Sequence, residues 1–113
     1  MTEKDYSIFI KHILEAISNV EKFMKEIDKE RFIKNEEKQS AVIRQIEIIG
    51  EATKNVPPHF RNKYPKVAWK EIAGTRDKII HHYFGVDINE VWKIVKKDIP
   101  ILKSQMKDIL ENS

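Results

Sequence analysis

The segment Asp5–Ile27, DYSIFIKHILEAISNVEKFMKEI, decides the fold. Its apolar residues Ile8, Phe9, Ile13, Ala16, Ile17, Val20, Phe23, Met24 and Ile27 recur at spacings of three and four. On a helix of about 3.6 residues per turn that spacing gathers them into one stripe. A long amphipathic helix follows, with Thr2 or Asp5 as the candidate cap at its start.

Working outward, Asp28–Asn35 is mostly polar and reads as a short helical turn around Phe32 and Ile33. A second long helix spans Glu36 to Asn55, with Val42, Ile43, Ile46, Ile49 and Ala52 inward and Ile48 as a second apolar edge. Gly50 inside it costs about 1 kcal/mol relative to alanine, which points to close packing at that position. Pro57 and Pro58 end this helix. Pro58–Pro65 is a basic, aromatic connection. A third helix runs from Lys66 to Tyr83, with Trp69, Ile72, Ile79 and Ile80 inward and Gly85 as its breaker. Asp87 or Asn89 restarts the chain into a last helical region reaching Leu110, which Pro100 kinks or splits. The reading is an all-α single domain over 1–113, an up-and-down bundle of four to five helices.

Composition agrees. Charged residues make up 35% of 113 and apolar residues 41%, with three glycines, a balance typical of helical domains that bury a small core. There is no cysteine, so disulfides and zinc–thiolate sites are excluded. No apolar run reaches the ~18 residues of a membrane span, and the N-terminus lacks the pattern of a signal peptide, so a cytoplasmic protein is expected. The net charge of +3 permits a nucleic-acid partner without requiring one.

Chemistry concentrates in Gly74-Thr75-Arg76-Asp77-Lys78-Ile79-Ile80-His81-His82-Tyr83-Phe84-Gly85. Arginine grips phosphate through its planar fork, and histidine exchanges a proton near neutral pH. Together they suffice for metal-free RNA cleavage. A base takes the 2′-hydroxyl proton, an acid protonates the leaving 5′-oxygen, and Arg76 stabilises the charged phosphorane. At about 100° per residue, Arg76 and His81 would lie roughly 140° apart on a regular helix, whereas Arg76 and Tyr83 would share a face. Asp77 and His81, four apart, could touch and orient the imidazole. A two-fold dimer across this helix would bring two arginines and two histidines to one cleft. His81 and His82 could instead only favour a helix C-terminus, and adjacent histidines on a helix diverge too far to make a metal site by themselves. His12 and His59 read as ordinary helix-surface and loop residues.

The same residues carry a resemblance. Arg76, His81 and Tyr83, spaced as Arg, four residues, His, one residue, Tyr, resemble the motif of HepT-like proteins of the HEPN superfamily. Ile49-Gly50-Glu51-Ala52, Pro65, Trp69 through Gly74, Tyr83 through Asp87, Val91-Trp92 and Asp98-Ile99-Pro100 resemble that family too, so the likeness covers about residues 5 to 110. It implies a helical bundle that dimerises with the motif helices lining a shared cleft, and a metal-independent endoribonuclease toxin needing no cofactor. Arg76 and His81 would be catalytic, with Asp77 and His82 in support. It also implies an antitoxin partner, a minimal nucleotidyltransferase of the MntA type, which silences the toxin by transferring AMP to Tyr83 and with which the dimer could assemble further. That modification would place a bulky anion where RNA phosphates enter. Asp77 departs from the asparagine common at that position and adds negative charge near the substrate, which puts the strength of any cleavage in question.

Two other readings belong to different classes. One is a non-catalytic helical adaptor that meets a nucleotidyltransferase through the motif helix. The other is a general nucleic-acid module using Arg61, Lys63, Lys66 and Lys70, with Tyr64 and Trp69 stacking on bases; against it stands a plain core role for the two aromatic residues.

Overall fold

The long helix α1 covers Glu3–Met24 and lies along α3, Glu36–Lys54, with their apolar stripes facing each other. The computed structural model describes residues 3–81 and 85–112, and of these every side chain but those of Glu3, Lys4 and His81. Ile10, Ile13, Ile17 and Val20 of α1 meet Val42, Ile46 and Ile49 of α3 in the core. The stripe is rotated slightly from the expected one: Ile10 is fully buried, whereas Ile8 is 48% exposed. Because α1 starts at Glu3, Asp5 sits within its first turns, where a carboxylate suits the helix dipole, and is not the cap. Thr2, the other expected cap, lies outside the described residues.

After α1 the chain turns through Glu26, which takes a left-handed conformation at φ 60°. Asp28 then caps α2, Lys29–Lys34, its Oδ1 accepting from the Arg31 N–H at 2.8 Å. Asn35 caps α3 in the same way through the Lys38 N–H at 3.0 Å. The short α2 is anchored by Phe32, fully buried against Trp92 with ring centroids 5.7 Å apart, while Ile33 faces outward.

A short α4, Pro58–Arg61, follows the Pro57–Pro58 break. The expected single helix from Lys66 to Tyr83 is not one helix. It begins later, as α5, Trp69–Ala73, stops at Gly74, restarts as α6, Thr75–Ile79, and passes into a strand. That strand, β1 (Ile80–His81), pairs antiparallel with β2 (Gly85–Val86), Ile80 opposite Val86 and His81 opposite Gly85. The β-branched pair Ile79-Ile80 suits this switch from helix to strand.

The last region is α7, Ile88–Lys93, a π-helical turn over Ile94–Asp98, and α8, Ile99–Glu111. Asp87 caps α7, its Oδ1 accepting from the Glu90 N–H at 3.0 Å. Pro100 neither splits nor sharply stops this region. Its ring would collide with the Lys96 carbonyl in an unbroken α-helix. The wider turn, in which the Ile99 N–H donates to the Ile94 carbonyl five residues back, makes the room. Leu102, Met106 and Ile109 of α8 close the core over α1. The molecule measures 44 × 31 × 20 Å, its short dimension matching two helix layers of about 10 Å each. The result is a helical bundle, all-α among the described residues but for one pair of two-residue strands.

Candidate functional site

The motif segment is held by its flanks rather than by its own helical length. A five-residue helix has too few internal hydrogen bonds to be stable alone. The α5–α6 junction is tied by Thr75, whose hydroxyl donates to the carbonyls of Glu71 and Ile72 at 3.0 and 2.9 Å. This junction crosses α3 at Gly50, where an added Cβ would meet the carbonyl oxygens of Ala73 and Ile72 at 3.5 and 3.6 Å. These are ordinary van der Waals distances, so α5 lies beside Gly50 but the packing there does not demand a glycine. At its other end, α6 is fixed by the buried Ile79 and by the Asp87 N–H, which donates to the Ile79 carbonyl at 2.8 Å.

Two basic residues of α6 are each met by a carboxylate from a different helix. Arg76 Nε lies 3.3 Å from Glu47 Oε2 of α3, and Lys78 Nζ lies 3.2 Å from Glu90 Oε1 of α7. The Arg76 side chain remains 60% exposed although Glu47 is only 30% exposed, so a charge fixed at the protein edge points toward solvent. Asp77, between them, is exposed.

Of the expected site residues, Arg76 and Asp77 thus stand in one turn of helix. The His81 backbone is the last residue of β1, beyond the helix. Because α6 ends at Ile79, the four-residue helical contact of Asp77 with His81 has no helix to support it, and the shared face expected of Arg76 and Tyr83 involves a residue outside those described. The C-terminus of α6 stands at Ile79, two residues before His81. The side chain of His81, and His82 and Tyr83 entirely, lie outside the described residues. Glu47 and Glu90 were not anticipated from the sequence.

The other candidates have structural duties. Arg61 donates from Nε to the Val56 carbonyl and from an η nitrogen to the Thr53 carbonyl, both at 2.8 Å, so it closes the C-terminus of α3. Trp69 is buried and its indole N–H donates to the Tyr64 carbonyl at 3.0 Å; Tyr64 packs on Phe60. Neither ring is presented as a stacking platform. His59 meets the edge of Tyr6, and His12 lies on the surface near Phe9. Among the described residues no three His, Asp or Glu side chains converge as a metal site, and no helix is long and apolar enough to cross a membrane.

Beside α6 opens a groove of about 320 Å³ between α3, α5 and α8. Ile46, Ile49, Ile72 and Leu102 line its floor, and Lys66, Lys78, Glu71 and Asp98 stand around it.

Comparison with known proteins gives this site its context. The chain is 49% identical over 108 residues to a Methanocaldococcus jannaschii protein described as a γ-glutamylcyclotransferase and candidate RNase; the match covers 96% of this chain and 49% of that one, so the chain spans about half of that relative's length. It is 47% identical over 108 residues to a Thermococcus cleftensis protein described as a probable ribonuclease HepT, with 96% of each chain covered. A Caldanaerobacter subterraneus protein described as a candidate RNase is 47% identical over 103 residues, covering 91% of this chain and 92% of its own. No solved structure matches. The sequence model described as ribonuclease HepT-like matches residues 13–109, a span that contains α3, the motif segment and most of α8, and the chain belongs to the HepT-like ribonuclease family.

Proposed function

We propose that this chain is a metal-independent endoribonuclease toxin that acts as a two-fold dimer, with Arg76 and His81 as its catalytic residues. The observation that carries the reading is the Arg76 guanidinium, held at the protein edge by Glu47 yet mostly exposed, in a chain of a ribonuclease family. In the reaction, one His81 takes the proton of a ribose 2′-hydroxyl as that oxygen attacks the adjacent phosphorus. The P–O5′ bond breaks, and the second His81 of the dimer gives its proton to the leaving 5′-oxygen. Arg76 neutralises the charge that builds on the phosphorane oxygens. The products are a 2′,3′-cyclic phosphate and a 5′-hydroxyl. The groove beside α6 offers a two-fold dimer an apolar surface with both charge signs around it.

Control of the toxin is assigned to AMP transfer onto Tyr83 by a minimal nucleotidyltransferase antitoxin, with cleavage confined to the unmodified protein in the cytoplasm. The decisive experiment incubates pure protein with total RNA in EDTA, wild type beside His81→Ala. Cleavage by wild type alone, leaving cyclic phosphate ends, supports the reading. Equal cleavage by both overturns the role of His81. Absence of cleavage by unmodified wild type favours instead a helical adaptor for the nucleotidyltransferase.

A further inference from the structure

We propose that Glu47 is the positioning residue of the site: its carboxylate fixes the Arg76 guanidinium by the Nε side and leaves the outer fork free for phosphate. The proposal rests on the ribonuclease reading of Arg76.

Arg76 needs such a partner. It stands on a five-residue helix, and its side chain has several rotatable bonds with 60% of its surface in water. Left alone, the guanidinium would sample many positions, and catalysis by charge placement requires one. Glu47 sits in the middle of the 19-residue α3, one turn before Gly50 and on the same face. The α5–α6 junction passes beside Gly50, close enough for a Cβ there to touch the Ala73 and Ile72 carbonyls, so Glu47 and α6 face each other along the same seam. The carboxylate is the less exposed partner of the pair at 30%. The backbone of Glu47 belongs to the longer helix, so on this reading Glu47 is the anchor and Arg76 the group it orients.

The edge used also matters. A guanidinium presents one edge through Nε and another through its two η nitrogens, the second matching two phosphate oxygens. The 3.3 Å contact is made at Nε. A contact at the outer edge would have competed with substrate; this one does not need to break when phosphate binds. The energy of so exposed a pair is small, so its role lies in geometry and not in stability.

The test compares wild type, Glu47→Gln, Glu47→Ala, Arg76→Ala and the double variant Glu47→Ala/Arg76→Ala, all on one RNA oligonucleotide. Expected is a fall in kcat of about 10- to 100-fold for Glu47→Ala, the scale that misplacing a catalytic group produces, with KM changed less than about twofold. Glu47→Gln, which keeps an acceptor oxygen, should lie between. The double variant should be no slower than Arg76→Ala, since residues acting through one contact do not add. The ¹⁵N-detected Arg76 Nε–Hε resonance should exchange with water faster in Glu47→Ala. Wild-type cleavage by Glu47→Ala, faster cleavage, or additive losses in the double variant overturn the positioning role while Arg76→Ala stays slowed but measurable. An Arg76→Ala variant that cuts like wild type, or a wild type that does not cut, overturns the ribonuclease reading and the proposal with it.

Discussion

The carbonyl oxygen of Ala73 lies 3.5 Å from the point where a Cβ on Gly50 would stand, which is ordinary van der Waals contact and not a clash. A methyl group therefore fits. Gly50→Ala should gain helix propensity of about 0.5–1 kcal/mol without displacing α5, measurable as a raised midpoint in denaturant. A larger residue has no such room, so Gly50→Leu should lower stability by about 1–3 kcal/mol and loosen the motif segment. Equal stability of the alanine and leucine variants would mean the junction is not packed on α3.

Gly85 requires its lack of a side chain for a different reason. Its φ is 77°, and nothing stands within 4 Å of an added Cβ, so the constraint is backbone conformation alone. Gly85→Ala should cost about 1 kcal/mol, the strain of a left-handed alanine. Its effect on cleavage should exceed that, because Gly85 pairs with His81 across the strands. Thermal unfolding and RNA cleavage measured together separate the two losses.

Arg61 serves the fold. Its two hydrogen bonds, to Thr53 in the last turn of α3 and to Val56 just beyond it, are charge-assisted, and removing them should cost about 1.5–3 kcal/mol. Arg61→Ala is expected to lower the urea midpoint while leaving the salt dependence of RNA binding unchanged. A shallower salt slope in that variant would restore Arg61 to the nucleic-acid surface.

Tyr83 is expected to be the acceptor of AMP. Incubated with a cognate nucleotidyltransferase and ATP, the wild type should gain whole AMP units in intact mass and lose RNA cleavage, whereas Tyr83→Phe should gain none and stay active. Mass added to Tyr83→Phe would place the modification elsewhere.

Much of the architecture is legible in the sequence, since long stripes such as Ile13–Ile17–Val20 and Ile46–Ile49 can satisfy only helical spacing, and Asp87 announces a helix start with a capping oxygen. The motif segment misleads because Lys66–Tyr83 has no strong breaker except Gly74. The strand pair that ends α6 depends on Val86, six residues beyond Ile80, and on Gly85 beside it in β2; periodicity cannot register a two-residue pairing. Arg76 stands out by its chemistry, but Glu47 is one of many helix-surface carboxylates, 29 positions away. One signal was available: Glu47 shares the face of Gly50, and whatever packs against that glycine also passes Glu47.

The π-helical turn at Ile94–Asp98 has a consequence for the last third of the chain. One residue accommodated in a widened turn rotates everything before it by about 100° relative to everything after. α7 can then meet α2 and α6 while α8, with Leu102, Met106 and Ile109, packs on α1, although both belong to one nearly continuous helical rod. The rod works as a cam with two lobes at different phases, and a single-residue deletion within Ile94–Asp98 would bring the lobes into line and leave the motif segment without the wall formed by α7.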